Sequence, residues 1–303
     1  MLAHSLSNTP QRFSFSAMTT QCEISCYGLS SPAFKQLTQL VVARVNVLIK
    51  KYNFHSPDSW LSKAVNGRTS DRVLIDDECA QVLTTVRYHS QRAGGVFDIT
   101  AGTLTHARKS SLSVSEAQRT QADLAAFIGA DRWSLEDHHI CFDNPHTRLD
   151  LGGVIKEYAV DISLALCKQA GASAALVNFG GDINCFGIKP DGERFIAAVQ
   201  DPLNPSSMLF GLDLHNQALA TSGHYARQRQ LPDGTLSHIV STDHNEPANP
   251  SKQWISATVV SHSTLISGIY STSLLIKPDT SLDSEMFAFA IDTHKQIHQL
   301  PHE

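Results

Sequence analysis

What this 303-residue chain lacks narrows its function before any motif is considered. No run approaches the ~20 consecutive apolar residues of a membrane span, so none is expected. The net charge is −5 and no basic stripe stands out, which makes nucleic acid a poor partner. No Cys-x-x-Cys pair occurs and the 15 His are scattered, so no structural zinc site is signalled. Of the six Cys, Cys22 and Cys26 share a face of one expected strand but stand about 13 Å apart at strand rise, too far for a disulfide. Reduced thiols and a start without a basic, apolar leader predict a cytoplasmic protein, periplasmic only if a leader is missing. There is no internal repeat, low-complexity tract or Pro/Gly/Ser linker. With 42% hydrophobic and 17% charged residues, the expectation is a tail over 1–11 and one intertwined α+β domain over 12–303.

What is present centres on residues 148–187, RLDLGGVIKEYAVDISLALCKQAGASAALVNFGGDINCFG. Asp150 precedes the pair Gly152-Gly153, and Asp182 follows the pair Gly180-Gly181. Leu149 and Leu151 flank Asp150 as in a short strand. Residues 154–169 have helical spacing, with Val154, Tyr158, Ile162, Ala165 and Leu166 on one stripe and Gly171 as the stop. A strand at 174–177 leads to the second Gly-Gly pair. Glycine turns let a ligand approach the backbone closely, and a helix that starts after one offers free N–H groups to a phosphate. One Gly-Gly pair is only a tight turn; two pairs, each beside a carboxylate, point to a phosphate or metal–phosphate site.

Before this unit, residues 12–27 predict a strand broken at Met18-Thr19-Thr20. Ser31-Pro32 opens a helix with Leu37, Leu40, Val41, Val45, Leu48 and Ile49 inward. A helix over 77–92 stops at Gly94-Gly95, and a capping box at Ser113 and Glu116 starts another that reaches about Ile128. Residues 133–135 and 140–142 make a hairpin. Asp98 lies between Phe97 and Ile99 and either works in a site or caps the following turn. After Gly187 come strands at 195–199, 208–214, 219–221, 238–240, 255–260 and 287–291, with one helix over 263–275.

In this order the motifs resemble the ApbE-type FAD:protein FMN transferases, over about Phe13 to Leu275. Met18-Thr19-Thr20 stands where that family has Met-Gly-Thr. Residues 56–66 resemble its Ser-x-Leu-x-x-Leu-Asn loop, and 94–100 its Gly-x-Phe-Asp-x-Thr. Residues 150–156 resemble Asp-Leu-Gly-Gly-Ile-Ala-Lys, and 178–182 resemble Asn-x-Gly-Gly-Asp. Ala220-Thr221-Ser222-Gly223 matches Ala-Thr-Ser-Gly, and His238-Ile239 stands for the His-Ile of His-Ile-x-Asp-Pro-x-Thr-Gly. The resemblance implies one ApbE-like domain of mixed, largely antiparallel sheets flanked by helices, with a ligand cleft. It further implies a metal-assisted transfer of FMN from FAD, as substrate, to a Thr or Ser hydroxyl of a partner flavoprotein, with AMP released. Such chemistry needs charge neutralisation at the phosphates and a base for the hydroxyl. On this reading Met18, Phe97, Asp98, Asp150, Lys156, Tyr158, Thr221, His238 and Ile239 contact the flavin nucleotide. His238 and Asp182 are the catalytic candidates, though His238 by itself fits a strand-end His bonded to backbone equally well. The Ile155 carbonyl and Thr272 would bind magnesium.

The chain departs from the pattern where the metal is held. Aligned on Ser271-Thr272, Gly268 replaces an Asp of the family's Ala-Asp-Ala-Leu-Ser-Thr, so only the Thr half of an i, i+4 pair survives. Glu157 replaces the Gly after the motif Lys, and would repel phosphate if it faced in. Ser241, Thr242, His244 and Asn245 replace Asp, Pro, Thr and Gly. Magnesium binding is therefore expected to be weakened. Two readings follow: a transferase whose metal is held by other groups, such as Asp182 or Asp150, or a catalytically impaired FAD-binding member that binds flavin or a partner.

Overall fold

A computed structural model of the chain describes residues 9–108, 111–223, 228–237 and 254–300. The chain enters on a hairpin of β1 (Gln11–Ala17) and β2 (Thr20–Tyr27), then forms α1 (Ser31–Tyr52). A π-helical turn at Leu61–Val65, β3 (Arg72–Leu74) and α2 (Asp77–Arg92) follow. A 3-10 turn at Ile99–Ala101 runs into α3 (Gly102–Arg108). Then come α4 (Val114–Leu124) and the hairpin of β4 (Trp133–Glu136) and β5 (His139–Phe142). The glycine-rich unit is α5 (Gly152–Gln169), β6 (Ala174–Phe179) and β7 (Asp182–Phe186). Beyond it lie β8 (Phe195–Asp201), β9 (Asn204–Leu214), β10 (Ala218–Gly223), β11 (Gln228–Leu231) and β12 (Gly234–Ser237). The described chain ends with β13 (Ser256–Ser261), α6 (Thr264–Ile276), β14 (Phe287–Ile291) and β15 (Ile297–Leu300).

Eight strands form one sheet, ordered β1-β2-β6-β7-β10-β13-β14-β15, with every neighbouring pair antiparallel. Alternation along each strand gives the sheet two apolar faces. On one, Ile24, Val177, Val259 and Ala290 pack with Val41, Leu83, Leu164 and Ile269 from α1, α2, α5 and α6. On the other, Ile183, Leu219 and Val260 pack with Phe195, Ala197 and Leu214 of the β8–β9 hairpin. This is an α+β fold with mostly antiparallel sheets, as the sequence predicts.

Several local expectations shift. Ser30, not Ser31, caps α1, its Oγ accepting the Ala33 N–H at 3.4 Å. Leu40 is 59% exposed, and Phe34, Thr38 and Tyr52 complete the buried face instead. In α5 the inward face is Val154, Ile155, Ala159, Val160, Ser163, Leu164 and Cys167, rotated from the predicted stripe; Tyr158, Ile162, Ala165 and Leu166 lie at its margin. This face is enclosed because α5 packs against the sheet, α1 and α6 at once. β3, β11, β12 and β15 are not signalled by the sequence, being short and weakly alternating; residues 149–151 form no strand, and the expected strand at 238–240 lies outside the described residues. α6 is buried at 12 of its 13 positions, enclosed by α5, α2 and the sheet. Among the described residues no helix is long and apolar enough to cross a membrane.

Candidate functional site

Two hairpin turns lie side by side at one end of the large sheet. Met18 and Thr19, at φ 50° and 62°, join β1 to β2; Gly180 and Gly181, at φ 64° and 98°, join β6 to β7. The pairing of Cys22 with Phe179 brings the turns together, and the Gly180 N–H donates to the Gln21 carbonyl at 3.0 Å. A Cβ on Gly180 would run into Thr20 Oγ1, so the left-handed backbone and the close approach both require glycine there. Met18 is partly buried against the main core. Asp182, 3% exposed, begins β7 immediately beyond the turn. Leu219 pairs with Ile183, so β10 delivers Thr221 and Ser222 to this same end.

A second group of motifs locks together through the backbone. Asn66 exchanges two hydrogen bonds with Leu149, at 2.9 and 2.8 Å. The Asp150 N–H donates to the Ile99 carbonyl at 2.8 Å, and Asp150 Oδ1 accepts the Gly152 N–H at 2.8 Å, at the start of α5. Asp98 Oδ1 accepts both the N–H and the hydroxyl of Thr100, at 2.8 and 2.7 Å. Asp98 therefore caps its turn; burial pushes its carboxyl above the ordinary carboxylate range, against the pull of the two Thr100 donors. Gly152 and Gly153 are exposed, and a Cβ on Gly153 would meet nothing within 4 Å. The first turn of α5 is thus open to a ligand.

Between these groups lies a buried charge cluster. The Lys156 ammonium forms an ion pair with Asp182 and stands 3.1 Å from Glu157 Oε1. Glu157 is 6% exposed, and its Oε2 has no hydrogen-bond partner among the described residues. The Glu157 side chain lies over Gly268 of α6: a Cβ there would come within 2.8 Å of Glu157 Cγ. One turn further along α6, the hydroxyls of Ser271 and Thr272 each lie 2.9 Å from Ser222 Oγ. Thr221 Oγ1 is 2.9 Å from Thr258 Oγ1.

The fold thus brings Met18, Lys156, Asp182 and Thr272 to one end of the sheet, with Ile155 on the first turn of α5; Thr221 lies at the same end but on the opposite face, against Thr258. Other candidates are placed elsewhere. Phe97 is buried in the main core, its carbonyl accepting from Ser90 Oγ. The Tyr158 hydroxyl donates to Glu78 of α2 at 3.2 Å, away from Lys156. His238 and Ile239 lie outside the described residues. Sequence reasoning passed over a His-x-x-x-His spacing at His294 and His298. It falls across a turn and a strand, where His298 Nε2 pairs with Asp292 at 2.8 Å. Ser222 and Ser271 were also missed as members of the hydroxyl cluster, since nothing in one sequence aligns β10 with α6.

No group of three or more His, Cys, Asp or Glu side chains forms a ready metal centre among the described residues. The donors present are nevertheless oxygens, the kind that magnesium takes. A buried carboxylate oxygen without a partner among the described residues, and a Lys ammonium standing between two carboxylates, mark a place that favours positive charge. These residues fit a divalent cation.

Comparison with known proteins bears on the family and the fold. A sequence model described as the ApbE family matches residues 18–284. The FAD:protein FMN transferase of Escherichia coli (strain K12) is 22% identical over 269 residues, covering 86% of this chain and 76% of that protein. That of Vibrio cholerae serotype O1 is 24% identical over 230 residues, covering 72% and 66%. The crystal structure of the ApbE protein from Thermotoga maritima superposes with a TM-score of 0.84 at 18% identity, covering 96% and 97% of the two chains. The flavin transferase ApbE from Vibrio cholerae gives 0.79 at 20%, covering 97% and 98%.

Proposed function

The chain belongs to the ApbE family, and on that premise we propose that it is an FAD:protein FMN transferase. The reaction joins a Thr or Ser oxygen of a partner flavoprotein to the FMN phosphorus, breaks the pyrophosphate P–O bond and releases AMP. The observation that carries this reading is the meeting, at one sheet end, of the open α5 start, Lys156, Asp182 and the Ser222–Ser271–Thr272 hydroxyls. The exposed glycine turn lets phosphate oxygens approach the start of α5, where the helix dipole favours negative charge. Lys156 turns from Asp182 to the pyrophosphate and offsets charge as the leaving AMP departs. Freed of Lys156, Asp182 accepts the hydroxyl proton, and His238 is the alternative base. Magnesium, held by Thr272 with the Ile155 carbonyl, would neutralise the pyrophosphate. Met18 and Asp150 frame the nucleotide.

The test incubates the protein with FAD, magnesium and a carrier bearing an acceptor Thr, and reads in-gel flavin fluorescence on the carrier. Fluorescent carrier is expected. Bound FAD without labelling would replace this reading with that of a flavin-binding protein, and absence of FAD binding would reject both.

A further inference from the structure

Gly268 and Glu157 face one another across the α5–α6 contact. Glu157 comes from the first turns of α5 and reaches over the bare backbone of Gly268, and a Cβ at 268 would displace it. The carboxylate is thereby held on the face of α6 that carries Thr272 one turn later, the i, i+4 relation that puts two side chains side by side. Its partners are incomplete. Lys156 serves one oxygen of Glu157 and one of Asp182, while Glu157 Oε2 is buried with no described donor. Two carboxylates and one ammonium leave one buried negative charge, a costly arrangement unless a cation completes it.

Asp161, one turn after Glu157, fixes the geometry. Its carboxylate accepts the Ser263 hydroxyl at 2.7 Å and the N–H groups of Thr264 and Leu265 at 2.8 and 3.1 Å. The N-terminus of α6 is thus tied to α5 on the Glu157 side. Neither the Glu157 position nor Gly268 can drift independently of the other.

We propose that Glu157 is the carboxylate ligand of the divalent cation in this protein, delivered from α5 into the space that Gly268 leaves on α6. Thr272 and the hydroxyls beside it provide the neutral oxygens, and Lys156 leaves Glu157 as the cation arrives. The assignment rests on the metal-assisted transferase reading, but it concerns which residue binds the ion.

The probe is Mn2+, followed by electron paramagnetic resonance of the free ion, with the full chain in the presence and absence of FAD. Flavin fluorescence quenching measures FAD binding separately. The parent protein is expected to bind one Mn2+, and Glu157→Gln to bind it about tenfold or more weakly, at least the loss that removal of a supporting group brings. The double variant Glu157→Gly/Gly268→Asp moves the carboxylate to α6 and is expected to restore binding near the parent level. Gly268→Asp alone, blocked by Glu157, is expected to gain nothing. Thermal unfolding without metal checks that the variants fold, and if Glu157→Gln does not, the double variant decides. Parent-like Mn2+ affinity in Glu157→Gln, or no recovery in a folded double variant, overturns the assignment. A parent that binds FAD but no Mn2+ overturns it while leaving the flavin reading standing. A parent that binds Mn2+ through Glu157 but not FAD overturns the flavin reading alone.

Discussion

Lys156 is the residue on which most of the site depends. Its ammonium holds Asp182 and Glu157, both nearly buried, and it cannot be removed without leaving two carboxylates in an apolar setting. Lys156→Met is expected to cost roughly 3 kcal/mol of stability, as removal of one partner of a buried ion pair does. Urea unfolding with and without FAD measures this, and FAD affinity should fall in the same variant. His89 offers a second test. Its imidazole packs on the Tyr270 ring at 5.8 Å, and burial holds its pKa below the usual value. His262 and Arg92 act in the same direction, and Asp283 against. The folded state then binds fewer protons than the unfolded one as pH falls through about 6.5. Stability is fully present above that pH and decreases below it. His89→Gln should flatten this part of a pH series of urea midpoints.

At the scale of elements, the hinge of the site is the contact between α5 and α6. Asp161 on α5 caps α6 and also accepts from Asn184 Nδ2 of β7 at 2.7 Å. Removing it strips a charged acceptor from several donors at once. Asp161→Ala is expected to cost roughly 3 kcal/mol, since hydrogen bonds to charged groups are the stronger kind. It should also weaken Mn2+ binding through misplacement of Gly268 and Thr272, which chemical denaturation and the resonance titration read separately. The same contact changes how two sequence departures are understood. Glu157 and Gly268, 111 positions apart in sequence, read as two independent losses of a family pattern. In the structure they are neighbours, and the bulk added at one fills the bulk missing at the other. A lone Gly268→Asp therefore does not repair the site.

For the whole molecule, the large antiparallel sheet carries the helices on one face and the β8–β9 hairpin on the other, so its core thiols are enclosed. Five of the six free cysteines are buried and Cys141 is partly exposed. Cys26 and Cys167 lie 3.6 Å apart between sheet and α5 without a disulfide. A thiol reagent should modify at most Cys141 rapidly in the native protein and all six in denaturant. Unfolding should be unchanged by reductant. Fast reaction of several thiols would show a core more open than this packing.

Much of this could be read from the residues themselves. Turn chemistry is local: Gly180-Gly181, Gly171 and the Ser113–Glu116 box act within a few residues, so the elements around them follow from sequence. The α2 boundaries and the 133–142 hairpin emerge for the same reason. Helix faces do not follow in the same way, because in α5 the inward side is chosen by the crowding of sheet, α1 and α6 rather than by the apolar spacing alone. Motif order identified the family, since ordered spacing survives where single matches are weak. Only the tertiary structure decided what the motif residues do. Asp98 and Asn66 brace the backbone, Tyr158 turns to Glu78, and Lys156 joins Asp182. It also decided where the carboxylate missing from α6 is replaced, because a side chain's reach across two helices depends on how they pack, and no spacing along one chain records that distance.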